Sequence, residues 1–310
     1  MRQRTLPYPL LLAGHGSADS AGAAAFHALR TRVSDLLAAE LVDVAGGFIE
    51  LSAPPLSTAV AALTKLGHRR VVAVPLVLSS AGHSKGDIPA ALGAERERHP
   101  GLCFVYGRPL GPHPALINLL ADRIGHAGGG VGDHDRVPAA VLLVGRGSTD
   151  PDANAEAFKT TRLLWETQRQ AGPRFRFAET AFVSLAPPDV AAGLERCRKL
   201  GARRIVVARY FLFQGVLPDR VAAQARAYAA AHTELDIGCA DVLGDCDEIA
   251  QLVAERYREA LAGDIRMNCD MCVYRAALPG FEHRVGAPQR PHYHPAEPSG
   301  AGSAHHDHAH

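Results

Sequence analysis

The sequence predicts an α/β protein: two tandem homologous domains, each a Rossmann-like parallel sheet covered by helices, followed by a C-terminal tail of different character. Three observations predict it. The stretch LLAGHGSADS, residues 11 to 20, is written again as LLVGRGSTDP, residues 142 to 151, and FIELSAPPL from Phe48 returns as FVSLAPPDV from Phe182. The copies stand at a nearly constant offset of 131 to 134 residues, since Gly67 with Arg69 and Arg70 pairs with Gly201 and Arg203 and Arg204. Within each copy short apolar runs alternate with amphipathic stretches, the pattern of strand and crossover helix. Finally, 310 residues at 47% hydrophobic and 21% charged suffice for about two ordinary cores.

Taken in order, PLLLAG, VDVAGGFIEL, RRVVAVPLVL and LCFVYG read as the strands of the first half. AAAFHALRTRVSDLLAAEL, PLSTAVAALTKLG and PAALGAERERH carry helical periodicity between them. The second half repeats the scheme with AAVLLVG, RFAETAFVSL, RRIVVARYFLF and LDIGCADVL, and with helices such as ANAEAFKTTRLLWETQRQ. Parallel sheets place ligands at the carboxyl ends of their strands, so GHGSADS, IELSAPP and LSSAGHSKGDIP are expected at one mouth. The Gly- and charge-rich HAGGGVGDHDR marks the join, dividing the chain into halves at 1–126 and 138–262 with 127–137 as linker. From 263 to 310 the chain turns rich in Pro, Gly and His, a composition expected to give a mobile tail.

Charge excludes some functions. Lys plus Arg number 33 against 32 for Asp plus Glu, so no global field draws a polyanion and nucleic acid is not indicated. The first apolar run is short and passes directly into GHGS, which reads as a strand and not a leader. No run approaches the roughly 18 apolar residues of a membrane span, and a cytoplasmic protein is expected. There is no GxGxxG or GxxxxGK[ST], which argues against a nucleotide site, and Ser17 does not sit in GxSxG, which argues against it as a hydrolase nucleophile; Ser84 does fall in that pattern, as Gly82-His83-Ser84-Lys85-Gly86, but the short pattern by itself is a weak signal.

Three residues carry the chemistry. His15 sits between glycines after a strand, His83 among small residues after another, and Glu50 ends the apolar run GFIEL. Each has a plain structural alternative: a turn histidine bonded to backbone, a surface loop histidine, a surface glutamate. The comparison between halves raises all three, because His15 aligns with Arg146, Glu50 with Ser184 and His83 with Leu217 while the scaffold around them is kept. Two imidazoles and a carboxylate at one mouth suit a first-row divalent metal, with positions left open for exchange.

These residues, with AGHSKGDIP, the degenerate second copy and the C-terminal MNCDMCVYR, give the chain its resemblance to the class II tetrapyrrole chelatases, most closely the long-form sirohydrochlorin cobaltochelatases of the CbiX type. The resemblance implies two chelatase-like halves and ATP-independent insertion of Co(II) into sirohydrochlorin on the route to cobalamin. It implies His15, His83 and Glu50 as metal-binding and proton-accepting residues. Arg146, Arg209 and Lys85 are candidates to hold the carboxylate rim of the macrocycle. Insertion of iron for siroheme, or of nickel, is the nearest alternative; a metal chaperone or sensor is the alternative from another class.

The same resemblance assigns Cys269 and Cys272 to an iron-sulfur cluster. Two thiolates do not complete the usual four, so the remaining ligands are expected from Cys239 or Cys246, from tail histidines or from a second copy in a homodimer, and a zinc site or redox pair stays open. His292, His294, His305, His306, His308 and His310 are expected to raise the local metal concentration as a delivery tail.

Overall fold

The computed structural model describes residues 8–40, 42–127, 139–170, 175–265 and 282–285. Its first sheet is formed by β1 (Leu10–Gly14), β2 (Val44–Phe48), β3 (Arg70–Pro75) and β4 (Cys103–Tyr106), all parallel, in the order β2-β1-β3-β4. The second is formed by β5 (Ala139–Gly145), β6 (Phe175–Phe182), β7 (Arg204–Arg209) and β8 (Asp236–Ala240), parallel, in the equivalent order β6-β5-β7-β8. The registers repeat too: Gly14 stands opposite Phe48 and Gly145 opposite Phe182. The fold class read from the sequence is the observed one.

Helices α1 (Ser20–Leu37), α2 (Leu56–Lys65), α3 (Ile88–Arg98) and α4 (Pro114–Ala127) belong to the first copy. Helices α5 (Pro151–Gln170), α6 (Val190–Lys199), α7 (Val216–Ala231) and α8 (Asp247–Ala262) belong to the second. Helix α1 buries the stripe Phe26, Leu29, Val33 and Leu37, spaced by three and four, and Asp19 caps it by accepting from the Ala21 amide. Pro151 opens α5, where its missing N–H costs no intrahelical bond, and Asp150 accepts from the Asp152 amide as Asp19 does in the first copy.

The halves exchange their last helices. Helix α4 packs on β7 and β8 of the second sheet, and α8 packs on α1, β3 and β4 of the first. One apolar cluster therefore runs through both, joining Leu10 and Val72 to Val141, Val206, Leu120 and Tyr257. Arg256 of α8, almost fully buried, donates to the carbonyls of Pro109 and Leu110 at 2.9 Å and to Glu259, which removes the penalty for burying its charge. The division at 1–126 and 138–262 thus marks sequence copies whose packing is shared. Of the 127–137 linker only Ala127 is among the described residues, and of 263–310 only 263–265 and 282–285. No helix among the described residues is long and apolar enough to cross a membrane.

Two segments differ from the sequence reading. The run GFIEL leaves the sheet at Phe48, so Glu50 lies in a turn beyond β2, held by Ile49 N–H to Gly14 C=O at 3.0 Å and Glu50 N–H to His15 C=O at 3.1 Å. The post-strand segment expected as a loop contains a π-helical turn, His83–Asp87, closed by the Ile88 amide donating to the His83 carbonyl and leading into α3. Such turns insert one extra residue per bond and recur where a helix must present a side chain off the regular spacing.

Candidate functional site

The carboxyl ends of β1, β3, β5 and β7 open onto a cleft of about 360 Å³ between the halves. Phe26, Phe48, Phe182, Phe211, Leu212 and Phe213 are among the apolar side chains that line it. Polar groups gather in one part of the cleft. His15 follows β1 in a turn that needs Gly16: this glycine has φ 110°, and a Cβ there would lie 1.8 Å from the Glu50 carbonyl oxygen. The same close approach puts the Glu50 carboxylate within 2.8 Å of His15 Nε2. His83, on the π-helical turn, brings its ring to 4.0 Å from that of His15, edge to face.

The hydrogen bonds around the two imidazoles are of opposite kinds. At His83, Nδ1 lies 2.6 Å from Asp87 Oδ2 and Nε2 lies 2.7 Å from Arg146 Nη1. A guanidinium has only donors, so Nε2 accepts from it and Nδ1 carries the proton donated to Asp87. His83 is therefore a neutral imidazole with its lone pair at Nε2. Burial pushes its pKa below the ordinary histidine value; Asp87 opposes that shift and Arg146 adds to it. At His15, Nε2 faces the Glu50 carboxylate and Nδ1 lies 3.1 Å from the Gly16 carbonyl, so both nitrogens face oxygen acceptors.

Of the residues expected here, the structure brings together His15, His83, Glu50 and Arg146. Among the described residues no three His, Cys, Asp or Glu side chains converge in metal-holding geometry. In this conformation the donors of the expected three-ligand site are engaged in pairs, with each other and with Arg146.

The other two cations lie elsewhere. Lys85 is buried in the boundary between halves, its Nζ 2.8 Å from Asp150 Oδ2 and 3.2 Å from Asp152 Oδ2, and it does not line the cleft. Arg209 is buried at the end of β7, donating to the Ala240 carbonyl at 2.8 Å and pairing with Asp241. Neither presents its charge to the cleft, because carboxylates and a carbonyl of the protein take it up first.

Sequence reasoning missed Asp87, Asp150 and Asp152. Asp87 had a signal, the spacing His83-x-x-x-Asp87, which puts two side chains on one face of a helical turn. The aspartates of α5 had none, since only the tertiary fold brings them to Lys85.

Cys269, Cys272, His292, His294, His305, His306, His308 and His310 lie outside the described residues. Burial raises the thiol pKa values of Cys239 and Cys246, the proposed additional ligands, so neither is a ready thiolate where it stands.

A family model described as CbiX matches residues 9–127 and again 140–260. The chain belongs to the CbiX family. Its two matched segments coincide with the two sheets, and the site draws on both. The sirohydrochlorin cobaltochelatase of Priestia megaterium is 36% identical over 277 residues, covering 88% of this chain and 86% of the relative. A sirohydrochlorin ferrochelatase of the same organism is 27% identical, covering 80% and 88%. Among solved structures, SirB from Bacillus subtilis with Fe3+ superposes with a TM-score of 0.67 at 26% identity, over 83% of this chain and 96% of that one. CbiX relatives of this kind are metal-inserting enzymes.

Proposed function

We propose that this CbiX-family chain is a sirohydrochlorin cobaltochelatase that inserts Co(II) into sirohydrochlorin without ATP, in cobalamin biosynthesis, as a cytoplasmic enzyme. One observation carries the reading for this chain's own residues: His15, Glu50 and His83 from one half meet Arg146 from the other at a cleft lined largely by apolar side chains of both halves. The cobaltochelatase relative shares more identity with it, over more of the chain, than the ferrochelatase from the same organism.

Insertion exchanges two pyrrole N–H protons for one divalent cation, so the site must offer a lone pair to the metal and acceptors to the protons. His83 is the lone-pair donor, because Asp87 fixes its proton on Nδ1 and leaves Nε2 available once Arg146 withdraws. His15 and Glu50 form the proton-accepting pair; Glu50 is about two-fifths exposed and passes protons to solvent. Arg146 exchanges His83 for a carboxylate of the macrocycle rim, a charge-assisted pairing that a guanidinium makes well. Apolar walls take the ring faces and exclude water.

Cys269 and Cys272 are read as ligands of an iron-sulfur cluster, shared between two copies if two thiolates from each are needed. Brown colour lost in Cys269→Ala supports that assignment, and stoichiometric zinc refutes it.

The deciding experiment is anaerobic incubation of the purified chain with sirohydrochlorin and Co(II), Fe(II) or Ni(II), following the visible spectrum against a control without protein. Faster insertion with Co(II) than with the other metals is expected. No acceleration with any metal refutes the chelatase reading, and a preference for Fe(II) moves the assignment to siroheme.

A further inference from the structure

Leu51 and Leu185 follow Glu50 and Ser184 in equivalent turns of the two halves, and the insertion scheme leaves both unused. Among the described residues they are the two non-glycine positions with positive φ, at 60° and 62°. Each is the centre of a γ-turn closed at 2.7 Å, by Ser52 N–H to Glu50 C=O and by Ala186 N–H to Ser184 C=O. A γ-turn of this hand is rare and strained, because Cβ of an L-residue crowds the backbone there, and glycine adopts it without that penalty. Both copies nevertheless hold leucine.

The backbone around each turn is tightly constrained. Gly16 and Gly147 approach so closely that a Cβ on either would lie 1.8 or 1.9 Å from the carbonyl oxygen of Glu50 or Ser184. Isolated bridges, Phe48 to Pro55 and Phe182 to Asp189, close the base of each loop. The leucine side chains escape this packing: they are 41% and 46% exposed, and both line the cleft. A large apolar side chain on strained backbone, open to water at the edge of an apolar cleft, gains nothing within the protein alone. It gains when a ligand covers it.

We infer that Leu51 and Leu185 are a matched pair of substrate-positioning side chains, one from each half, that pack on the apolar ring face of the macrocycle and hold its nitrogens toward His15 and His83. The inference rests on the chelatase reading and deepens it. It also accounts for the retention of leucine in the second copy, where the imidazoles and the glutamate have been replaced.

The test compares Leu51→Gly, Leu185→Gly, the double glycine variant and Leu51→Met in the full chain. Three readouts are taken: binding of metal-free sirohydrochlorin by spectroscopic titration well below the melting temperature, Co(II) insertion kinetics, and the melting temperature. Each glycine variant is expected to bind the macrocycle about tenfold more weakly, the loss of one Leu-sized apolar contact. The KM for macrocycle rises with it while the KM for Co(II) stays put. The melting temperature holds within about 3 °C, since glycine relieves the strain that leucine bears. Leu51→Met restores binding.

Macrocycle binding within twofold of wild type in the double glycine variant overturns the inference. So does a loss that affects Co(II) and macrocycle alike, which reports a collapsed site. Wild-type protein that fails to bind sirohydrochlorin refutes the chelatase reading beneath it, whereas wild-type binding with unaffected variants removes only the role of the leucines.

Discussion

Replacing Lys85 by methionine keeps the length and apolar stem of the side chain and removes its charge, which distinguishes two roles for this residue. The sequence placed it at the substrate rim; the structure seals it between Asp150 and Asp152, at 2.8 and 3.2 Å, with all three side chains at most 7% exposed. Removing one member of a buried ion pair leaves its partners charged in a medium that solvates them poorly, which costs about 3–5 kcal/mol. At about 1.5 °C per kcal/mol for a chain of this size, the melting temperature is expected to fall by roughly 5–8 °C. Asp150→Asn is the useful second mutation, because asparagine still caps α5 at its N-terminus and only the charge is lost. A double-mutant cycle by thermal or urea unfolding is expected to give a coupling energy of at least about 1.5 kcal/mol between Lys85 and Asp150. Lys85 also sits on the π-helical turn that bears His83, so insertion falls with stability. A melting temperature within about 2 °C of wild type, with a raised KM for the macrocycle, would refute this reasoning and return Lys85 to the substrate.

His83→Ala is expected to lose one equivalent of bound Co(II) in equilibrium dialysis, the tail histidines keeping theirs, while His15→Ala retains that equivalent and loses insertion rate by about a hundredfold or more, the usual contribution of a proton-transfer group; the reverse pattern reverses the assignment. Arg146→Ala is expected to move two affinities in opposite directions: Co(II) binds the macrocycle-free protein more tightly because no guanidinium occupies His83 Nε2, and sirohydrochlorin binds more weakly because a rim partner is gone. Calorimetric titration of each ligand separately checks both signs. Glu156, buried against the Ser80 amide at 2.7 Å, has its pKa raised, chiefly by burial. Its folded-state pKa therefore lies above the unfolded one, so its favourable contribution is fully present below the unfolded value, near 4.5, and is lost as pH rises through the folded value. Glu156→Gln is expected to raise the melting temperature relative to wild type above that range and to leave it unchanged at pH 4.

The repeat made the architecture legible, because a parallel sheet writes its strands as apolar runs and two aligned copies fix where each strand ends. Comparing the copies made His15, Glu50 and His83 legible as a group. The partners of those residues were less visible. Asp87 lay within reach of sequence spacing, but the π-helical turn that brings His83 to Arg146 has no sequence period of its own. The cations at Lys85 and Arg209 were taken for substrate contacts because a basic residue beyond a strand can meet a ligand or a protein acceptor alike; for Lys85 the acceptors are buried aspartates of the other half, and for Arg209 the Ala240 carbonyl and Asp241 of its own. That exchange was also illegible, since α4 and α8 have the same amphipathic pattern whichever sheet they cover.

What the two halves retain separates scaffold from chemistry more sharply than what either contains. Gly16 and Gly147, the γ-turns at Leu51 and Leu185, and the Ser17 and Ser148 hydroxyls that accept from the amides of Asp19 and Asp150 recur in both. These build equivalent turns on the two sides of the cleft, as the proposed flat macrocycle would require. The donors do not recur, and a single metal site requires no second set. A second set of imidazoles facing the first would also hold the metal from both sides and slow its passage to the ring. On the proposed function, Arg146 in place of a second histidine would remove that competing ligand, repel the cation from the far wall and offer a positive group to an anionic rim. On the proposed function, the differences at Arg146, Ser184 and Leu217 would give the cleft a metal-donating side and a substrate-holding side, while the backbone turns at Gly16 and Gly147 that build each side stay the same.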